Sequence, residues 1–232
     1  MNNGRQVTAS FFIAIGLAVL GLFIFLGFRD FSNKDRQVIV RGLAEKQVMA
    51  NKVTWPLVIK TLGNELQSVY WQLNATNETV LQFLRDNGIT ESEISVGPPS
   101  VFDKLAQSYR SDAAYRYTVT QVITVTSSQV EKVNELINRQ VELLKLGVAL
   151  STDYEYRTIY EYTLLNDVKP DMIAEATQAA REAAQKFADD SQSSLGSIKS
   201  ASQGQFSIEN RDPFTPWIKN IRVVTTVAYS LE

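Results

Sequence analysis

The sequence predicts an α+β protein, in which a single N-terminal transmembrane helix precedes a domain of three main helices packed on a mixed or antiparallel sheet. An uncharged run of twenty residues lies near the N-terminus, three stretches repeat apolar residues at helical spacing, and others alternate apolar and polar residues as half-buried strands do. We divide the chain into residues 1–28, a tail and membrane anchor, residues 29–36, a tether, and residues 37–232, one folded domain.

The uncharged run, Ala9 to Phe28, has the length of a membrane span. Twenty helical residues extend about 30 Å, the thickness of the hydrocarbon core of a bilayer. The sequence FLGFR over residues 25–29 offers no small-residue cleavage site, so we expect the helix to be retained as a signal anchor. A buried core helix is the alternative. Flanking charge gives weak support to the opposite orientation from export, since one arginine precedes the run and three bases, at positions 29, 34 and 36, follow it.

Three further stretches have helical periodicity. The first covers residues 65–87 and stops at Gly88, the second starts after Ser128 and stops at Gly147, and the third opens with Pro170 in its first turn. The apolar positions expected on the buried faces are Leu66, Tyr70, Leu73, Val80, Leu81 and Leu84 in the first, Val130, Val133, Ile137, Val141 and Leu144 in the second, and Ile173, Ala176, Ala180, Ala183, Ala184 and Phe187 in the third. Because alanine is small, the third helix should lie close against a sheet.

Alternation of apolar and polar residues predicts half-buried strands between the helices. The predicted strand segments are Tyr115–Thr126, Tyr154–Leu164, Asn220–Leu231, and a strand or hairpin over Gln37–Leu62. A faint internal repeat is also visible, because Val48–Val96 and Tyr115–Leu164 share the order strand, amphipathic helix, glycine, strand.

The composition argues against an enzyme. The chain has neither cysteine nor histidine, which removes thiol nucleophiles, thiolate metal sites and the commonest general base. The pairs Glu91/Glu93 and Asp189/Asp190 resemble glycosidase carboxylates, but solvated charge is the preferred interpretation. We therefore predict no catalytic residue, no cofactor and no metal site. The net charge of −2 and the lack of a polybasic block argue against a nucleic-acid partner, and we predict none.

Several segments resemble the SIMPL-domain family, the YggE-like proteins of the bacterial envelope. They are VIVRGLAEKQVMANKVTWPL (38–57), GITESEISVGPPSV (88–101), KPDMIAEATQAAREAAQKFADDSQSSLGSI (169–198) and QGQFSIENRDPFTPWIKNIRVVTTVAYSL (203–231). The last two are similar to a membrane-anchored subgroup. The resemblance implies a single-pass protein of the bacterial inner membrane with its C-terminal domain in the periplasm. It also implies a homo-oligomer, since some members assemble into large hollow oligomers, and it provides no catalytic residues.

Two sets of aromatic residues are candidate binding surfaces. The loop 203–217 holds Phe206, Arg211, Phe214 and Trp217, and protein interfaces favour aromatic residues and arginine; a hairpin connection pinned by its own aromatics is the equal alternative. Four tyrosines at Tyr154, Tyr156, Tyr160 and Tyr162 could form an aromatic face for a glycan or peptide, although such residues more often pack a sheet under helices.

These observations favour a non-enzymatic structural or interaction protein that self-assembles or contacts an envelope protein partner. The alternative is a ligand-binding module for a small molecule, peptide or glycan.

Overall fold

The computed structural model describes residues 16–25, 36–106, 114–152 and 154–232. Within these ranges the chain forms ten β-strands and, beyond residue 36, four α-helices. The strands are β1 (Gln37–Met49), β2 (Lys52–Gly63), β3 (Ile94–Val96), β4 (Ser100–Asp103), β5 (Tyr117–Ser127), β6 (Leu150–Ser151), β7 (Ile159–Glu161), β8 (Leu195–Gln203), β9 (Ser207–Asn210) and β10 (Ile218–Leu231). The helices are α1 (Leu66–Asp86), α2 (Val130–Arg139), α3 (Val141–Lys145) and α4 (Leu165–Asp190). Two 3-10 turns lie at Glu91–Glu93 and Tyr154–Tyr156.

The strands form two sheets. One has the order β1-β10-β8, with β9 also paired to β10, and the other has the order β3-β5-β2-β6, with β4 paired to β5 and β7 paired to β2. Antiparallel pairing joins β10 to β8, β2 to β5, β6 and β7, and β5 to β3 and β4. The α+β class with antiparallel pairing is therefore confirmed, with two sheets where one was expected. Both strands over Gln37–Leu62 exist, but β1 and β2 belong to different sheets and form no hairpin.

The described chain groups into two units by its internal contacts. The first contains the described residues before Gln47 together with Asn166–Ser207 and Ile221–Glu232. The second contains Gln47–Leu165 and Ile208–Asn220. Each unit has its own buried apolar cluster, so each has its own source of hydrophobic stabilisation. One folded domain over residues 37–232 stays a prediction.

The second unit is built from two copies of one strand–helix–strand pattern, as the sequence repeat predicted. In the first copy β2 leads to α1, Gly88 and β3, and in the second β5 leads to α2, α3, Gly147 and β6. The two central strands pair around Val58 and Val122, and each copy returns its last strand to the central strand of the other. Both glycines have a left-handed φ, +74° and +82°, which ends the preceding helix. Because each short strand pairs with the central strand of the other copy, the two copies form one sheet with one buried core.

The first unit places α4 against its sheet through small residues. Ala176, Ala180, Ala184 and Ala188 recur every four residues and are fully buried, which confirms the expected alanine packing. Phe187, also expected on this face, is 60% exposed, because the buried face continues through Ala184 and Ala188. The helix comes so close to β1 that a Cβ at Gly42 would lie 1.8 Å from the carbonyl oxygen of Ala176 and 2.4 Å from the amide nitrogen of Ala180. A strand residue without a side chain therefore permits this contact.

Two helix boundaries differ from the sequence prediction. α4 begins at Leu165, five residues before Pro170, which lies inside the helix. Since a proline near the start of a helix loses only one backbone hydrogen bond, the helix extends through it. The helix predicted after Ser128 is interrupted at Gln140, where Leu143 N–H donates to the Gln140 carbonyl three residues earlier.

That tighter turn changes which side of the second helix faces the core. Leu143 is buried, while Val141 and Leu144, both expected inside, are exposed. In the first helix Leu66 and Tyr70 are likewise about half exposed, and the buried positions are Val69, Leu73, Asn77, Val80, Phe83 and Leu84.

Only part of the predicted membrane helix can be compared with the structure. Residues 16–25 are helical, and the remaining residues of the 9–28 run lie outside the described residues. In the described part of the chain, no helix combines the length and the apolar character needed to cross a membrane.

Candidate functional site

The segment Arg211–Trp217 is a turn fixed by one carboxylate. Asp212 Oδ1 accepts hydrogen bonds from the amides of Phe214 and Thr215, each at 2.8 Å, and Oδ2 accepts one from Arg211 Nε at 3.0 Å. The Thr215 hydroxyl also donates to Oδ2. The hydrogen bonds from Thr215 and Arg211 hold the pKa of Asp212 well below its usual range, so the carboxylate stays charged in this turn.

The turn is attached to the core at one end and projects at its tip. Trp217 packs against the buried cluster of the second unit, with its ring 6.2 Å from that of Tyr160 in an edge-on arrangement, and its carbonyl accepts from Ala50 N–H at 2.8 Å. Phe214 is 87% exposed. The turn therefore holds an aromatic side chain out in solvent on an ordered support.

The four residues predicted for this loop do not form one cluster. Arg211, Phe214 and Trp217 share the turn in the second unit. Phe206 belongs to the first unit, where Lys169 Nζ lies 5.7 Å from the centre of its ring.

The predicted strand over Tyr154–Leu164 is wrong. Residues 154–156 form a 3-10 turn and only Ile159–Glu161 is a strand, so the four tyrosines do not alternate along one strand face. Tyr160 is buried, its hydroxyl donates to Asn134 Oδ1, and burial raises the pKa of that hydroxyl. Tyr160 therefore packs the interior, whereas Tyr156 and Tyr162 are partly exposed.

The sequence reasoning missed an apolar groove of about 500 Å³ on the second unit. It lies between the first half of α1 and the strands β4 and β5. The residues lining it are Leu66, Gln67, Tyr70, Leu73, Pro99, Val101 and Val119. Gln67 is the only one with an amide or charged side chain. The sequence predicts Leu66 and Tyr70 on the buried face; since they follow the same helical period as the buried residues, the pattern does not distinguish a groove wall from a core face.

The acidic pairs are bound locally. Glu91 pairs with Arg85 at 2.6 Å, and Asp189 and Asp190 accept from Gln185 and Lys186 on the preceding turn of α4. These three agree with solvated charge.

Glu93 is different from the other three, because it is partly buried. Burial opposes ionisation, but hydrogen bonds from the Ser127 hydroxyl, at 2.5 Å, and from Thr90 outweigh it and lower the pKa of Glu93. This carboxylate closes a capping box with Thr90 and joins the 3-10 turn to the end of β5. Its role is structural.

Lys219 is a buried cation that the sequence did not indicate. It is 7% exposed, and its Nζ donates to Asn210 Oδ1 at 2.5 Å. Burial lowers the pKa of Lys219, and the nearby Glu161, itself paired with Lys52 at 2.9 Å, partly offsets this. The described residues contain no group of three or more acidic side chains that could hold a metal ion.

Comparison with known families gives one match. The model described as "SIMPL: Protein of unknown function (DUF541)" matches residues 38–219, most of the chain. No curated protein matches the sequence.

Proposed function

Because the chain belongs to the SIMPL family, whose function is unknown, we propose that it is a non-enzymatic interaction protein of the bacterial envelope. In this proposal residues 9–28 anchor it in the inner membrane, the C-terminal domain lies in the periplasm, and copies of the domain assemble with one another. The observation that carries the proposal is Phe214, an almost fully exposed aromatic side chain on a turn that four hydrogen bonds to Asp212 hold in place.

The anchor is supported by the N-terminal residues. Those at positions 16–25 are helical, and every large apolar side chain among them is exposed, on all sides of the helix. A Cβ placed on Gly16 or Gly21 would meet nothing within 4 Å. A helix that is apolar on every side needs an apolar environment, and a bilayer provides one.

A role in interaction is supported by the combination of exposed apolar groups and ordered backbone. Exposed aromatic residues on a rigid support lose little conformational entropy on binding, which favours interfaces. The acidic residues considered for catalysis have local hydrogen-bond partners, and the chain has no histidine or cysteine. These features favour binding over catalysis.

Two measurements on the full chain test the proposal. Protease added to intact spheroplasts should digest the C-terminal domain. Light scattering of the detergent-solubilised chain should give, after the detergent is subtracted, a mass of at least two chains of 26.0 kDa. Protection of the domain from protease would contradict the periplasmic location. A monomer at all concentrations would contradict self-assembly.

The groove on α1 favours a second candidate function, binding of a small apolar ligand. Its volume of about 500 Å³ lies within the range of about 300–1,000 Å³ that is usual for ligand pockets. Thermal-shift screening of the full chain with fatty acids and apolar peptides would test it. A rise in melting temperature that Val101→Asp abolishes would support a ligand site, and no rise for any compound would contradict it.

A further inference from the structure

Phe214 is exposed in a way that the fold of its own chain does not require. Trp217 already attaches the turn to the core, and Asp212 already closes it. Phe214 adds no packing to either, since 87% of it remains exposed. An aromatic side chain in water forfeits the free energy of its burial. Its ordered presentation is what a contact side chain needs, because the entropy of ordering the loop has been spent before binding.

The groove between α1 and β4 is complementary to such a side chain. A cavity of about 150 Å³ is enough for one benzene ring, so a groove of about 500 Å³ can take the Phe214 ring together with part of a flanking proline. Pockets for small molecules normally add a few convergent polar groups. The lining side chains of this groove carry two polar groups, the Gln67 amide and the Tyr70 hydroxyl, and its exposed surface is almost entirely apolar, which fits an apolar protein side chain better than a polar ligand.

We propose that the Phe214 turn of one copy inserts into the α1–β4 groove of a second copy. The inference rests on the self-assembly proposed above and names the contact that makes it. The exposure of Phe214 shows that it does not occupy the groove of its own chain. Because the turn and the groove are different surfaces, the contact either occurs twice, reciprocally, in a two-fold dimer or leaves a free turn and a free groove for further copies.

The size of the contact determines the kind of assembly expected. A stable free dimer buries about 800 Å² per partner, whereas one Phe side chain buries about 150–250 Å². A pair joined by this contact alone is therefore weak. A closed ring, in which every copy makes two such contacts, or a high local concentration at a membrane, compensates for it.

Because the chain has no cysteine, single-cysteine variants can test the contact. Pro213→Cys, which places the thiol beside Phe214 and keeps its ring, is co-expressed with Val101→Cys as differently tagged full chains, and the membranes are treated with a short bis-maleimide. The control pairs Pro213→Cys with Val141→Cys, since Val101 and Val141 are 51% and 52% exposed and both lie on the second unit. The first pair should yield mixed dimers at least about tenfold more efficiently than the control pair.

Equal crosslinking of the two pairs would overturn the proposal. So would crosslinking of Val101→Cys to a different protein with none to Pro213→Cys, because the groove would then belong to another partner. Light scattering of the unmodified chain separates the two failures. An oligomer without the preferential crosslink removes this contact and leaves self-assembly standing, whereas a monomer removes both.

A second pair of variants measures the contribution of the side chain itself. Phe214→Ser should weaken self-association about 10- to 100-fold, as expected for loss of a buried Phe. Phe187→Ser, which removes an exposed Phe on α4, should leave it unchanged. Equal effects of the two substitutions would refute a specific role for Phe214.

Discussion

Gly42→Ala tests how tightly α4 packs on its sheet. The added Cβ would lie 1.8 Å from the carbonyl oxygen of Ala176 and 2.4 Å from the amide nitrogen of Ala180, whereas non-bonded carbon contacts are normally about 3.5–4.0 Å. Both atoms belong to the helix backbone, so no side-chain rotation relieves the overlap. The helix would have to move by more than about 1 Å, and we expect the substitution to destabilise the first unit by about 3 kcal/mol or more.

The expected loss is large enough to measure by urea unfolding. With a slope of about 2 kcal/mol per molar urea, 3 kcal/mol lowers the midpoint by about 1.5 M. Far-UV circular dichroism follows α4, the longest described helix. The three tryptophans, Trp55, Trp71 and Trp217, all lie in the second unit, so fluorescence reports on that unit alone. The dichroism midpoint of Gly42→Ala should therefore fall by more than the fluorescence midpoint.

Two further glycines provide matched controls. Gly63→Ala meets only the Val69 side chain, at 2.5 Å, and Gly147→Ala meets nothing within 4 Å but has a φ of +82°. The first should cost less than about 1 kcal/mol after Val69 rotates, and the second about 1–2 kcal/mol from backbone strain. Adding Ala176→Gly to Gly42→Ala should not restore stability, because the overlap is with backbone atoms. If the free energy of unfolding of Gly42→Ala lies within about 1 kcal/mol of the wild-type value, the close packing of α4 on β1 is wrong.

Three other substitutions test the second unit. Asp212→Ala should speed hydrogen exchange at the Phe214 and Thr215 amides, because it removes their acceptor. Because the pKa of Asp212 is lowered, these amides of the wild type should stay protected at pH 4 and lose protection only as the pH falls through that lowered pKa. Unchanged exchange in the variant would show that the carboxylate does not fix the turn. Lys219→Met should remove a pH dependence of the free energy of unfolding. Since burial lowers the pKa of Lys219 in the folded state, the wild type gains stability relative to the variant as the pH rises from that lowered pKa towards about 10.4, the pKa of an unperturbed lysine. Parallel urea midpoints of the two proteins between pH 7 and 10 would contradict this. Tyr160→Phe should cost about 1–3 kcal/mol by leaving Asn134 Oδ1 without its donor, against no change for Tyr70→Phe, whose ring is exposed.

The spacing of apolar residues predicted the regular helices and strands well, because burial of one face of an element determines that spacing. α1 ends at Asp86 with Gly88 beyond it, and β5 and the buried positions Ile221, Val223, Val227 and Tyr229 of β10 follow the predicted alternation. In α4 the alanine spacing predicted close packing, and Gly42 supplies the other half of that contact from a strand more than a hundred residues away. No local pattern links Gly42 to the alanines, so the pair could not be predicted together.

The failures occur where local hydrogen bonding outweighs the apolar pattern. Tyrosines at period two indicated a strand over residues 154–164, yet the chain makes a 3-10 turn at Tyr154–Tyr156 and leaves a strand of three residues. At Gln140 a three-residue turn interrupts the predicted helix and exposes Val141 and Leu144. In both places a single tight turn shifts the phase of every residue that follows.

The two copies of the internal repeat show which features of the second unit are shared and which belong to one copy alone. Both copies supply a long central strand, a helix ended by a left-handed glycine, and a short strand that returns to the opposite copy. Beyond this shared part the copies differ: α1 is continuous and leaves Leu66 and Tyr70 along a groove, whereas the second helix is broken at Gln140. The cavity beside the second helix, which Val141, Leu144 and Leu150 help to line, is about 240 Å³, so the sheet closes there with a cavity about half as large. The proposed contact gives Leu66 and Tyr70 a role in binding, and Phe214, at 87% the most exposed large apolar residue of the described chain, lies on the same unit.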